Sequence, residues 1–330
     1  MLFLLLITSY KVFMSKVSVV IPNYNGEKCL RECLASLKKQ DYKDFDVIVV
    51  DNCSEDASLQ VVEESEGELL LEVIPLDNNY GFAKAVNDGI KASGSEYVIL
   101  LNNDAVAGRH MVGALVNRLE KESDVFSAQA MMLQYNNRKL IDSAGDYFCV
   151  LGWGFARGRD EAASRYTGKC DIFSACAGAA IYRRNVFDEI GYFDENFFAY
   201  LEDVDIGYRA KIYGWRNVYE PEAKALHIGS AASGSRHNAF KVSLSARNSM
   251  LLMYKNFAPW QKVLNFVPVC AGILVKIVYF ARKGLAGAYL KGIFSSFFKM
   301  KDVSRTLNLT KNTIAIEKEL LRNTLRRLGI

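Results

Sequence analysis

The chain predicts an α/β protein built on a doubly wound sheet, and three observations carry that expectation. Half of the 330 residues are apolar, enough for a sizeable core in one large domain or two modest ones. Short β-branched runs alternate with helix-period stretches at strand–helix–strand spacing. Polar clusters interrupt the strand-like runs at their C-terminal ends, where sheets of this kind hold ligands.

The elements follow in order. VSVVI (17–21) predicts the first strand, and 27–40 has a helix pattern. DVIVV (46–50) is the second strand and 55–66 the second helix. LLLEVI (69–74), a helix over 82–92 and YVILL (97–101) complete the alternation. Pro22, Asn23, Tyr24, Asn25 and Gly26 follow the first strand; Asp51 and Asn52 follow the second; Asn102, Asn103 and Asp104 follow the fourth. Each cluster alone reads equally well as a turn. Three in register point to a ligand site.

Which ligand is narrowed by what is missing. The chain has no dinucleotide glycine fingerprint and no GxxxxGK[ST] loop, which argues against a Rossmann dehydrogenase or a P-loop enzyme. Asp51 can accept hydrogen bonds from a base or ribose. Without a phosphate cradle a diphosphate would need a metal, and Asp104 is a hard oxygen ligand suited to Mg²⁺ or Mn²⁺. A lone histidine such as His227 reads first as structural.

Between an aromatic run and a basic helical segment, FFAYLEDVDIGYRAKIYGW (197–215) sets Glu202, Asp203 and Asp205. Carboxylates beside Phe197, Phe198, Tyr200 and Leu201 read as a tuned general base or a cation site. Asp205 reads as a helix-start acid, with Arg209 four residues on either pairing with it or reaching toward phosphate.

Composition divides the chain. Residues 236–330 hold 17 Lys and Arg against three acids, Asp302, Glu317 and Glu319, so an acidic front is followed by a basic, apolar rear. The run 263–281 carries Asn265, Pro268 and Lys276 and is marginal as a membrane span; with the clustered cations it reads as in-plane amphipathic helices on an anionic membrane face. Over 311–328, Ile314, Leu321, Leu325 and Leu328 recur at helical spacing amid basic residues. No recognition motif or base-stacking pattern supports nucleic-acid binding. The seven cysteines form no CxxC pair and read as reduced, mostly buried thiols of a cytosolic protein. The apolar run at the start, Leu2 to Ile7, is too short to span a bilayer and lacks the charge order of a signal peptide; Met14 is an alternative start.

Taken as a series, VSVVIPNYNG (17–26), VIVVDNCSEDAS (47–58), NNYGFAKAVNDGI (78–90), LLNNDA (100–105), the segment 177–215 and ALHIGS (225–230) resemble the family 2 glycosyltransferases of GT-A fold, within them the rhamnosyltransferase-like branch. The resemblance spans roughly 16–256. It implies a GT-A catalytic domain over 16–256, a mixed, mostly parallel sheet flanked by helices, after a short extension 1–15 and before a helical, membrane-associating region 257–330.

Position by position, the resemblance implies that Pro22, Asn23, Tyr24, Asp51 and Asn52 embrace the nucleotide. It sets Asn79, Gly81, Ala83 and Asn87 under the ribose and diphosphate, and Asn102, Asn103 and Asp104 in place of the DxD motif, with Asn102 replacing its first acid. Lys84 stands where relatives have glycine and either reaches a phosphate or faces solvent. Gly178, Ala179 and Trp215 are expected at the donor-sugar and acceptor pocket, Asp203 as base with Glu202 beside it, and Asp104 with His227 as the metal ligands. The implied reaction is inverting transfer of rhamnose or a hexose from a dTDP- or UDP-linked donor to a saccharide acceptor. A lipid-linked acceptor on the cytoplasmic membrane face suits the basic, apolar rear. Donor-sugar contacts are expected in 132–169. A nucleotidyltransferase and a silent nucleotide-sugar-binding scaffold are the alternatives.

Overall fold

A computed structural model describes residues 15–229, 238–306 and 312–330; the expectations for the first 14 residues, the alternative start included, lie outside them. The alternation read from the sequence forms β1 (Val17–Asn23), α1 (Glu27–Lys38), β2 (Phe45–Asp51), α2 (Ser58–Glu63), β3 (Leu71–Pro75), α3 (Phe82–Ala92) and β4 (Tyr97–Leu101). The second helix is shorter than expected. Asp56 accepts from the backbone N–H groups of Glu27 and Ser58, which makes 55–57 a turn.

The second half of the sheet comes from β5 (Ala105–Ala107), β6 (Val125–Gln134), β7 (Asn137–Ser143), β10 (Cys170–Ile172), β11 (Ala179–Arg183) and β12 (Arg216–His227), with α4 (Met111–Lys121) after β5. A small hairpin, β8 (Asp146–Phe148) and β9 (Gly154–Ala156), lies apart from it. The main sheet runs β10-β12-β6-β11-β4-β1-β2-β3. β1 to β4 are mutually parallel; β11 runs against both β4 and β6, and β12 is parallel to β6. The expected mixed, mostly parallel sheet is what forms.

Strand alternation sorts the core. Val19, Val47 and Val49 face α1 and α4, where Leu30, Leu34, Leu115 and Leu119 are buried; Val20, Ile48 and Val50 face α3 with Val86 and Ile90. On that second face also lie α5 (Val186–Ile190) and α6 (Glu202–Tyr213). Because β1 sits between β2 and β4, the C-terminal ends of these three strands converge at the switch in strand order, and the polar clusters meet there.

The C-terminal region is α7 (Ala239–Asn256), α8 (Pro259–Leu264), α9 (Phe266–Ala281), α10 (Ala286–Lys299) and α11 (Asn312–Leu328). The apolar run 263–281 is interrupted at Asn265, whose buried amide donates to Glu317 of α11. No helix among the described residues is long and apolar enough to cross a membrane. Ile316 and Leu320 share a core with Val204, Tyr208 and Leu251, so packing is continuous across the expected boundary at 256. All seven cysteines are unpaired, as expected; Cys53 and Cys270, however, are exposed, and only Cys33 and Cys149 are fully buried.

Candidate active site

At the switch point, Asn23 is the hub. Its Nδ2 donates to Asp51 Oδ1 at 2.8 Å and its Oδ1 accepts from Asn103 Nδ2 at 2.7 Å, which ties the ends of β1, β2 and β4 together. Asp51 also accepts from the Ser54 hydroxyl and backbone. It organises the loop with most of its lone pairs. Gly26 lies so close that a Cβ there would be 2.1 Å from Asn103 Nδ2. Pro22 is buried, and Tyr24 sits at the exposed rim.

Asn52 continues the line toward α3. Its Oδ1 accepts from Tyr80 N–H and its Nδ2 reaches the Gly81 carbonyl, while Asn79 Oδ1 caps Gly81 N–H. Gly81 needs its φ of +87°, and a Cβ there would meet the Phe198 carbonyl at 2.6 Å. Ala83 N–H donates to that same carbonyl. The segment expected beneath the nucleotide thus abuts the loop that leads to Asp203. Asn87 departs from expectation: its amide is spent on Phe193 and Glu195, tying α3 to the 193–195 turn. Lys84 pairs with Asp88 one turn on.

Asn102 N–H donates to the Gly178 carbonyl, and a Cβ on Gly178 would lie 3.2 Å from Asn102 Nδ2; Ala179 pairs with Leu101 in the sheet. The small residues therefore border the polar cluster. Trp215 does not. It follows the C-terminus of α6, about 18 Å from Glu202 at 1.5 Å per residue, and its Nε1 donates to Glu189. Trp215, expected at the donor-sugar and acceptor pocket, thus faces Glu189 of α5.

Strand β12 delivers His227 to Asp104: Nε2 lies 3.2 Å from Asp104 Oδ1, and Nδ1 lies 2.8 Å from Asp142 Oδ2. Burial works against a charged imidazole, yet the two carboxylates outweigh it and push the His227 pKa up to about 10. One carboxylate oxygen and one imidazole nitrogen converge here, and the second carboxylate fixes the ring. As it stands the imidazolium donates to both carboxylates; a divalent cation at Asp104 would take the place of the Nε2 proton, and the set of one carboxylate oxygen and one neutral imidazole nitrogen would then fit it. Asp142 was missed in the sequence because it lies in a stretch given to donor-sugar contacts.

Asp203 sits in the first turn of α6, with Val204 N–H donating to its Oδ1 at 2.8 Å. Burial pushes its pKa up, against the backbone donors of Val204 and Ala177 and a hydrogen bond with Asp146. It is a stronger base than an exposed carboxylate would be. Glu202 is buried and pushed well up, by burial and then by the charge of Asp203, and its Oε2 has no hydrogen-bond partner among the described residues. Asp146, Cys176 and Asp203 bring one ligand-type atom each to within 4.8 Å of one another. Asp205 points away into a buried ion cluster with Arg209, Lys255 and Asn256. Arg209 is further occupied by the carbonyls of Ile190, Gly191 and Tyr192, so it reaches no phosphate.

The approach to Asp203 is held in unusual geometry. Phe198 (φ 63°, ψ −63°) forms a γ-turn, with Ala199 N–H on the Phe197 carbonyl, and Tyr200 and Leu201 also have positive φ. From α7, Asn248 Nδ2 donates to the carbonyls of Phe197, Ala199 and Tyr200, and Arg247 to those of Asn196 and Phe197. Neither residue stood out in the sequence, because a lone Asn or Arg in a helix carries no spacing signal.

Comparison with known proteins bears on the family and the fold. The family model described as glycosyl transferase family 2 matches residues 18–191. Poly(ribitol-phosphate) beta-N-acetylglucosaminyltransferase TarS of Staphylococcus aureus (strain Mu50 / ATCC 700699) is 43% identical over 94 residues, 28% of this chain and 16% of that protein. The N-acetylglucosaminyl-diphospho-decaprenol L-rhamnosyltransferase of Mycobacterium tuberculosis (strain CDC 1551 / Oshkosh) is 26% identical over 270 residues, 73% of this chain and 85% of that protein. Among solved structures, GalNAc-T7 with UDP, GalNAc and Mn²⁺ superposes with a TM-score of 0.60 at 16% identity, covering 73% of this chain and 48% of that one, and it shares the GT-A fold. By the extent of the family match, this chain belongs to glycosyl transferase family 2.

Proposed function

We propose that the chain is an inverting, metal-dependent glycosyltransferase that moves a sugar from a nucleoside-diphosphate donor, dTDP- or UDP-linked, to a hydroxyl of a lipid-linked saccharide. The observation that carries this reading is Asp203, a half-buried carboxylate with a raised pKa, linked through Asp146 to the turn whose Asp142 holds His227 of the Asp104–His227 pair. Asp203 accepts the proton of the acceptor hydroxyl as that oxygen bonds to the anomeric carbon. The bond from that carbon to the diphosphate oxygen breaks on the opposite face, and the electron pair leaves with the nucleoside diphosphate. Asn23, Asp51, Asn52 and Asn103 frame the nucleotide side; Gly178 and Ala179 leave room for the sugar. Asp104 and His227 would hold the Mg²⁺ or Mn²⁺, which neutralises charge on the diphosphate when bound.

Attachment to the cytoplasmic membrane face, which would bring a lipid-linked acceptor to the site, is supported by the outer surfaces of the C-terminal helices. Val263, Val267, Phe294, Phe297 and Phe298 are exposed there, among Lys262, Arg282, Lys283, Lys291 and Lys299. The name of one relative, an N-acetylglucosaminyl-diphospho-decaprenol L-rhamnosyltransferase, supports the lipid-linked acceptor class.

The test is a panel of UDP-, dTDP- and GDP-sugars with Mn²⁺ or EDTA and a membrane extract as acceptor, reading free nucleoside diphosphate. The expected result is metal-dependent release with one donor, lowered about 10²- to 10⁴-fold in Asp203→Asn with donor binding retained. Pyrophosphate release would point to nucleotidyl transfer instead. Near-parental transfer by folded Asp203→Asn would remove Asp203 as the base.

A further inference from the structure

We propose that Asp146 is a positioning residue for the reaction, a carboxyl that donates a hydrogen bond to Asp203 and fixes the orientation in which Asp203 meets the acceptor hydroxyl. This rests on the reading of Asp203 as the base.

The sequence LIDSAGDYF builds the contact. Gly145 has φ +124°, and a Cβ there would lie 2.7 Å from Ile172 Cγ2, so the chain turns tightly against β10. Asp146 is then pinned by paired backbone hydrogen bonds with Ser174, N–H to carbonyl in both directions at 3.0 and 3.3 Å. This aims its side chain at the Cys176 and Asp203 side chains, within the 4.8 Å cluster.

Two half-buried carboxyls in such proximity do not both ionise, so one keeps a proton. The surroundings decide which. Asp203 has backbone donors from Val204 and Ala177 that favour its charged form. Asp146 has burial and the charges of Asp203 and Asp142 raising it well above the ordinary range, with Arg159 pulling down. Arg159 is itself paired with Asp142 at 3.2 Å. The other groups facing the pair, Cys176, Glu202 and Tyr182, are all pushed up by burial and stay neutral. The proton therefore rests on Asp146 and is directed at the Asp203 carboxylate.

The same turn serves the other half of the site. Asp142 holds His227 Nδ1, and four residues later Asp146 holds Asp203. A single five-residue segment orients both the residues proposed for the cation and the residue proposed for the proton.

The experiment measures kcat and donor KM against pH for the parent, Asp146→Asn, Asp146→Ala and Asp203→Asn, with thermal melts to check folding. Asparagine keeps a hydrogen-bond donor, so Asp146→Asn is expected to hold kcat within about threefold and leave the acid limb of the profile in place. Alanine does not, and a hydrogen bond to a charged group is worth roughly ten- to a hundredfold. Asp146→Ala should therefore lose about that much kcat at unchanged donor KM, with its acid limb moved to higher pH. The near-isosteric asparagine variant decides the matter should the alanine variant not fold. A large kcat loss in Asp146→Asn, or an unmoved limb and parental kcat in Asp146→Ala, overturns the proposal while Asp203→Asn remains inactive. Activity in Asp203→Asn instead overturns the base assignment and the proposal with it.

Discussion

An Asn248→Ala substitution removes three hydrogen-bonding groups at once, the two Nδ2 N–H donors shared among the carbonyls of Phe197, Ala199 and Tyr200 and the Oδ1 that accepts from Arg247 Nε. At about 1 kcal/mol net for each, a loop that stayed in place would cost the fold roughly 3 kcal/mol. The loop is itself strained, however. Phe198, Tyr200 and Leu201 hold φ of 63°, 70° and 68°, and each non-glycine residue in that region costs about 1–2 kcal/mol. Relaxation would return roughly 3–6 kcal/mol, which matches or exceeds what the amide supplies. The loop should therefore relax locally while the rest of the chain stays folded.

Relaxation at Leu201 moves the first turn of α6, and with it Asp203. A displacement near 1 Å is worth about 10²-fold in rate. The expected outcome is a kcat lower by about two orders of magnitude, donor KM within about twofold of the parent, and a thermal midpoint within about 1 °C of the parent, where the full roughly 3 kcal/mol would lower it by about 4 °C in a chain of this length. The assay pairs nucleoside-diphosphate release with a melting curve on one preparation. A midpoint that falls by the full 3 kcal/mol equivalent with kcat unchanged would refute the reasoning, since the loop would then keep its shape without the clamp.

Two further expectations concern stability and location. Burial would raise the Asp205 pKa, but Arg209, Lys255 and Asn256 more than compensate and hold it below its ordinary value. Its contribution is therefore full above the unfolded pKa of about 3.9 and fades as pH falls through the lower folded value. Asp205→Asn should cost about 3–5 kcal/mol at pH 7 by denaturant melts, with the gap to the parent narrowing below about pH 4; a gap independent of pH would contradict this. Phe297→Glu with Phe298→Glu, at positions 58% and 78% exposed, should abolish flotation with anionic liposomes and leave the melt unchanged. A parent protein that does not float would end the membrane reading.

How legible the molecule was depends on where its polar residues lie. The parallel half, β1 to β4, announced itself because its strands are nearly unbroken apolar runs buried on both faces. Strand β6 did not. Ser127 and Gln129 are buried within it to bond Asn217, Ser143 and the Cys176 N–H, so polar letters break a pattern that the packing requires. In the site, the strand-end clusters and the Asp205–Arg209 pair were readable from position and spacing alone. Asn87 and Trp215 were not, because a motif preserves order along the chain but not the direction in which a side chain leaves it. Asp142 and Asp146 carried only a faint signal, one acid near the end of the largely polar strand β7 and another directly after Gly145.

The usual rule holds only in part on helix α11, whose inner face carries Ile316 and Leu320 beside polar side chains. Helix α11 buries Glu317, Asn323 and Thr324 while Ile314, Leu321, Leu325 and Leu328 face outward, so periodicity identified the helix but not its inner side.

Helix α10 lies against α7 at a point where Gly292 approaches the Ser243 carbonyl so closely that a Cβ would come within 2.1 Å. Helix α7 is also the source of the Asn248 and Arg247 contacts to the loop before Asp203. The change in composition at residue 256 is therefore not a mechanical seam. The last 74 residues act as a splint behind α7, and a chain trimmed at that point would keep Asn248 and Arg247 but lose the α10 support at their back along with its outer face.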